Sequence, residues 1–142
     1  MLSSSASKWP VGGDWALQPK FDGFRLLVEI PHAGAARAWS RHGASLSEQV
    51  PQILEPFCAM PPGTIVDGEL VALAELDGCP VQDFAAVRRA VFNGDTEAAS
   101  RLRFVAFDLL SVGATDLRSR PWAERDERVT RVGCRLRGRP YR

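Results

Sequence analysis

The tightest constraint on the fold is an early reversal of the chain. The apolar run Phe24-Arg25-Leu26-Leu27-Val28-Glu29-Ile30 has strand character, Pro31-His32-Ala33-Gly34 has turn character, and Ala36-Arg37-Ala38-Trp39-Ser40 returns as a strand, so the spacing predicts a β-hairpin. A further short strand is expected just upstream, over Trp15-Ala16-Leu17-Gln18. Downstream, Leu46, Val50, Ile53, Leu54 and Phe57 recur at helical spacing, with Ser45 or Ser47 as cap and Pro51 tolerable in the first turn. Residues 64–73 predict a strand broken at Asp67-Gly68, and Asp77-Gly78 a turn. Asp83 is expected to cap a helix through Phe84, Val87 and Val91 that ends at Asn93-Gly94-Asp95. Residues 102–110 form an apolar strand interrupted by Asp108, and Pro121 opens a last helix from residue 122 to about 132, with Glu124 and Arg128, and Glu127 and Arg131, as i,i+4 pairs. This order predicts an α+β domain with a largely antiparallel sheet and packed helices.

A chain of 142 residues that is 45% hydrophobic suits one domain with a real core. No apolar run approaches the roughly 20 residues that span a bilayer, so no membrane association is expected. The N-terminus lacks the apolar centre of a signal peptide. Cys58, Cys79 and Cys134 are odd in number and lack CxxC spacing, which argues against disulfides and structural zinc and fits a reducing cytoplasm. Residues 1–13, rich in Ser, Gly and Pro, read as a lead-in, 14–132 as the folded portion, and 133–142 as an irregular basic tail. Residues 131–142 hold five arginines and no acid, which leaves −4 on the rest, so the body is not a general polyanion binder.

Four polar clusters sit at strand ends: Lys20-Phe21-Asp22-Gly23-Phe24-Arg25, Ser40-Arg41-His42-Gly43, Asp67-Gly68-Glu69 and Phe107-Asp108. Taken singly each has an ordinary reading, since Asp-Gly pairs make turns and Arg41 suits a solvated loop. Taken together they describe chemistry. A neutral lysine is a nucleophile. A carboxylate can orient it or hold a metal ion, and arginines hold phosphate or a ribose oxygen. Lysine is scarce, with only Lys8 and Lys20 against 16 arginines, so a lysine kept inside the chain points the same way.

In this order the clusters resemble the covalent nucleotidyltransferase superfamily, most closely the adenylation domain of ATP-dependent DNA ligases of the bacterial type. Residues 20–25 match the family's KxDGxR motif. Trp39-Ser40-Arg41-His42-Gly43 resembles SRxG, Val66-Asp67-Gly68-Glu69-Leu70-Val71 resembles DGELV, and Phe104-Val105-Ala106-Phe107-Asp108-Leu109-Leu110 resembles FxxFDLL. The resemblance covers about residues 9–130. It implies a partial ligase-type, ATP-grasp-like nucleotidyltransferase domain that uses ATP and Mg²⁺ on nicked double-stranded DNA in repair and recombination. It implies that Lys20 attacks the α-phosphate and carries AMP as a phosphoramidate. Arg25 would then contact the ribose or the DNA near the nick, and Arg41 a phosphate. Glu69 would bind the ribose near the metal ion, and Phe107 would stack on the adenine. These roles agree with what phosphoryl transfer requires, an in-line nucleophile and cations around the phosphate oxygens.

Two departures stand out. The family carries Glu two residues before the lysine, to accept from the adenine amino group. This chain has Gln18, which accepts through its carbonyl oxygen without charge. The family's downstream EGxxxK and KxK motifs have no counterpart after Asp108 in these 142 residues, where no lysine occurs, and no OB-fold domain is expected within them. The stretch from about Gly133 shows no family pattern and reads as a truncated or frame-shifted end. The expected function is the adenylation domain of a DNA ligase (ATP), with other repair proteins or a missing second half as partners. Its rivals are a catalytically inactive remnant or nucleotide-binding fragment and, within the superfamily, an RNA ligase or capping guanylyltransferase.

Overall fold

The structure is a computed structural model and describes residues 8, 11–13 and 15–136, of which 132–136 are described by their backbone. Among these residues the strands are β1 (Phe24–Ile30), β2 (Arg37–Ser40), β3 (Thr64–Leu76), β4 (Cys79–Gln82), β5 (Leu102–Val112) and β6 (Thr115–Asp116). The helices are α1 (Pro51–Leu54), α2 (Phe84–Asn93), α3 (Thr96–Ser100) and α4 (Trp122–Leu136). The strands form one antiparallel sheet in the order β2-β1-β3-β5-β6, with β4 paired to β3 beside that path. The α+β class and the antiparallel sheet are as the sequence predicts.

The β1–β2 hairpin forms, with Leu26 opposite Ser40 and Glu29 opposite Arg37. The strand expected over Trp15-Ala16-Leu17-Gln18 does not form. Both edges of β1 are already taken by β2 and β3, and Trp15 and Leu17 stand 66% and 79% exposed, so no ladder position or buried face is left for them. The helix read from Leu46 to Phe57 is cut short. Its apolar face is real, since Val50, Ile53, Leu54 and Phe57 are buried. However, α1 is one turn long and passes into a 3-10 helix, Glu55–Ala59, because Pro56 has no N–H to continue the α pattern.

β3 is not broken at Asp67-Gly68; it runs 13 residues, and the pair instead marks a register shift against β5. A Cβ on Gly68 would lie 2.4 Å from the Phe104 ring and 2.5 Å from the Val105 carbonyl oxygen, so only glycine lets β5 approach here. The Asp77-Gly78 turn holds, both residues left-handed, and returns the chain as β4, which the sequence did not signal. Asp83 caps α2 by accepting from Ala86 N at 2.9 Å, and Gly94 ends it in the left-handed conformation. Asp95 in turn caps the unexpected α3. β5 passes through Asp108 without interruption. α4 continues to Leu136, so residues 133–136 are helical rather than irregular, while 137–142 lie outside the described residues. Of the two i,i+4 pairs, Glu127 and Arg131 meet at 2.5 Å.

One face of the sheet is the core. Leu26, Val28, Val66, Leu70 and Leu109 are buried to 1% exposure or less. Each such side chain contributes about 1.5–3 kcal/mol over leaving it exposed. Phe57 meets Phe104 edge-on at 5.6 Å, and Phe24 meets Phe84 at 5.3 Å, which ties the helices to that face. Alternation sends Arg25, Leu27 and Glu29 to the other face, and no helix among the described residues is long and apolar enough to cross a membrane.

Candidate active site

Register assembles the site on that second face. Arg25 lies directly opposite Glu69 on β3, and Leu27 lies between Trp39 on β2 and Asp67 on β3. Directly opposed residues share a face, so Arg25, Glu69, Asp67 and Trp39 stand together. Trp39 is held there by its indole N–H, which donates to Glu29 at 2.8 Å.

Lys20 lies in the exposed, irregular segment that leads into β1. Two contacts fix the end of that segment. The Asp22 amide donates to the Gln82 side-chain oxygen at 2.6 Å, and the Gly23 backbone packs closely against the Glu69 side chain. Gly23 is obligatory: a Cβ would lie 2.1 Å from the Leu70 carbonyl oxygen and 3.1 Å from the Glu69 side chain. Burial pushes the Glu69 carboxyl above its ordinary pKa. The Gly23 amide and the Arg25 and Lys20 charges oppose the shift, and Asp67 adds to it. Glu69 is therefore a half-buried carboxyl that feels the Arg25 and Lys20 charges.

Arg25 is oriented by a carboxylate of the neighbouring strand. Its Nε and Nη2 grip Asp67 bidentately, at 3.0 and 2.5 Å, and Asp67 is 3% exposed. The paired carboxylate holds the Arg25 guanidinium above its ordinary pKa. The guanidinium carbon also lies 5.8 Å from the centre of the Phe107 ring, within cation–π range. Phe107 occupies the irregular step of β5, between Ala106 opposite Gly68 and Asp108 opposite Asp67. With Gln18 it lines a groove of about 640 Å³, whose other walls include Phe57, Phe104 and Val129. Arg41 is exposed in the turn after Ser40, whose partner is Leu26, so its backbone stands one step from the Arg25–Glu69 row.

The structure sets Arg25 opposite Glu69 and against Phe107 and puts Gln18 on the same groove as Phe107, with Arg41 at the margin and Lys20 in the exposed segment that leads into β1. Sequence reasoning gave no role to Asp67, which orients Arg25, although the residue stands inside a recognised motif. It also passed over the ion pair in which Arg125 of α4 grips Asp108 at 2.7 and 3.0 Å, and over Gln82; neither carries a local signal. No group of three or more His, Cys, Asp or Glu among the described residues is placed to cage a metal ion. Glu69 offers one carboxylate, which suits Mg²⁺ held chiefly by substrate phosphates and water.

The sequence profile of the family described as "ATP dependent DNA ligase domain" matches residues 2–137. The chain is similar to the multifunctional non-homologous end joining protein LigD of Pseudomonas aeruginosa, 33% identical over 137 residues, covering 96% of this chain and 15% of that protein. It is equally similar to DNA ligase C2 of Mycolicibacterium smegmatis, 33% identical over 131 residues, covering 88% of this chain and 35% of that protein. Among solved structures, mycobacterial DNA ligase D complexed with ATP and MES superposes with a TM-score of 0.63 at 30% identity, over 82% of this chain and 36% of that one. The chain therefore spans about a third or less of the length of these relatives.

Proposed function

The chain belongs to the ATP-dependent DNA ligase domain family, and from that premise we propose that it carries the lysine-adenylating half-site of such an enzyme. The observations that support this reading are that the Lys20–Arg25 stretch runs straight into β1, that Arg25 lies opposite Glu69 in the ladder, and that the Arg25 guanidinium lies 5.8 Å from the Phe107 ring. In the proposed step the Lys20 Nζ lone pair attacks the α-phosphorus of ATP. The bond from that phosphorus to the bridging oxygen breaks, pyrophosphate leaves, Nζ loses a proton, and a lysyl-AMP phosphoramidate remains.

The chain's own residues supply positioning for this. Phe107 offers one ring face to adenine while Arg25, locked by Asp67, backs the ring. Gln18, on the same groove, accepts from the adenine amino group. Glu69 accepts from the ribose and lies near the cation, Arg25 borders the ribose, and Arg41 takes a phosphate oxygen. Glu69 would hold Mg²⁺ together with the substrate phosphates, and the ion would supply charge neutralisation at the reacting oxygens. The AMP then passes to the 5′-phosphate of nicked double-stranded DNA, with the remaining cations supplied by a further segment or a second polypeptide. DNA repair is the setting that the names of the LigD relatives support, and the cytoplasm is the compartment proposed with it.

The test is incubation with α-labelled ATP and Mg²⁺, followed by a denaturing gel. Wild type should retain label and Lys20→Arg should not, because a guanidinium stays protonated and is a poor nucleophile. Stable nucleotide binding without covalent label would favour a non-catalytic fragment. Preference for GTP over ATP would favour a capping-type enzyme.

A further inference from the structure

We propose that Gln82 is a positioning residue for Lys20: from the end of β4 its side chain fixes the loop that presents the amine. The proposal rests on the functional reading above. Residues 15–22 form no ladder, and 15–20 are exposed, so neither sheet pairing nor burial holds Lys20 in place. In-line attack on a phosphorus tolerates little misplacement, since an error near 1 Å can remove about 100-fold in rate. Something must therefore hold this loop.

The structure supplies an acceptor at its end. Asp22 N–H donates to Gln82 Oε1 at 2.6 Å, and the next residue, Gly23, packs closely against the Glu69 side chain. Two consecutive residues thus meet side chains of two different strands. Glu69 already belongs to the recognised site, whereas Gln82 lies 60 residues from its partner.

The hairpin carrying Gln82 makes sense on this account. β3 runs on to Leu76, turns at Asp77-Gly78, and returns as β4, whose four residues are all exposed. An arm that buries so little contributes little by packing. Its end, however, is rigid. Gln82 is paired with Leu73 in the ladder, the adjacent Asp83 amide donates to the Ala72 carbonyl at 3.0 Å, and the Asp83 carboxylate caps α2. A side chain anchored by a strand on one side and a helix cap on the other is a fixed acceptor, and it is aimed at the loop two residues from Lys20.

The experiment uses the whole chain with Gln82→Ala and Gln82→Glu, the second keeping an oxygen acceptor at the same reach. Losing one hydrogen bond of ordinary strength should speed hydrogen exchange at the Asp22 amide about fivefold in Gln82→Ala. The rate should recover in Gln82→Glu, with the Leu26 and Val28 amides unchanged as controls for the fold. Limiting acylation with an amine-reactive reagent gives a second readout, the ratio of Lys20 to Lys8 modified, Lys8 being exposed and outside the site. That ratio should change in Gln82→Ala and return in Gln82→Glu. With α-labelled ATP, the adenylation rate at saturating nucleotide should fall while KM for ATP holds. An Asp22 amide that exchanges equally in wild type and Gln82→Ala overturns the proposal, as does an unchanged lysine ratio or a KM effect alone. Absence of AMP labelling in wild type counts against the functional reading instead, and the exchange and acylation readouts still decide the role of Gln82.

Discussion

Arg125→Ala should destabilise the fold by about 2 kcal/mol, a value bracketed by the geometry of the pair it breaks. Arg125 Nε and Nη2 donate to the two Asp108 oxygens at 2.7 and 3.0 Å, and the side chains are 17% and 18% exposed. Solvent-exposed pairs contribute about 0.2–1 kcal/mol, and breaking a fully buried pair costs about 3–5 kcal/mol. A bidentate, charge-assisted pair at intermediate burial falls between. The pair joins α4 to β5 beside Phe107, and Arg125 also donates to the Arg120 carbonyl at 2.6 Å, so the loss should loosen the entry of α4 as well. For a chain of this size 2 kcal/mol corresponds to a fall in Tm of about 6 °C. Arg125→Lys keeps the charge without the fork and should lose roughly half as much. Urea unfolding of wild type, Arg125→Ala, Asp108→Asn and the double variant gives the coupling directly, expected at about 1–2 kcal/mol. Asparagine keeps an acceptor for the Leu109 amide, which bonds Asp108 at 2.8 Å. A loss below about 0.5 kcal/mol, or strictly additive single effects, would refute the reasoning that this pair fastens α4.

Gly23→Ala should abolish lysine labelling and lower stability by about 1–3 kcal/mol, because the added methyl meets the Leu70 carbonyl oxygen of the adjacent strand; labelled-ATP gels and urea midpoints check both. Because burial raises the folded-state pKa of Glu69, the folded chain binds the proton more tightly than the unfolded one. Stability from this group therefore falls as pH rises from the ordinary value of 4.5 through the raised pKa, and Glu69→Gln should gain on wild type across that window in pH-dependent urea titrations. Asp116, gripped by Arg118, should titrate at about 2 by NMR and move back toward 3.8 in Arg118→Ala; an unmoved titration contradicts the pairing. The purified 142-residue chain should not seal nicked DNA in a gel-based assay beside a full-length ligase. No lysine follows Lys20, and losing even one positioned donor can remove on the order of 100- to 1000-fold in rate.

Features with a local cause were legible in the sequence. The β1–β2 hairpin follows from a turn between two apolar runs, and α2 from an Asp cap and a Gly stop. The Lys20, Glu69 and Phe107 stretches were visible because each keeps its residues close together in sequence. Features decided by tertiary contact were not legible. Trp15-Ala16-Leu17-Gln18 has strand-like composition, but β1 has no free edge for it. β3 reads as broken at Asp67-Gly68 only because glycine is needed for the close approach of Phe104, which lies far along the chain. α3 and β6 span five and two residues, too short to leave a periodic signal. The Arg25–Asp67, Asp108–Arg125 and Asp22–Gln82 contacts join residues separated by 42, 17 and 60 positions, and no local pattern encodes such pairings.

The most direct test of the central claim is to map the covalent adduct. The chain is incubated with ATP and Mg²⁺, digested under conditions that preserve the phosphoramidate, and sequenced by tandem mass spectrometry. With only Lys8 and Lys20 in the chain, the assignment is unambiguous. The account predicts AMP on Lys20 and none on Lys8. AMP on Lys8 with Lys20 unmodified, or no adduct from a chain that binds ATP, would contradict it.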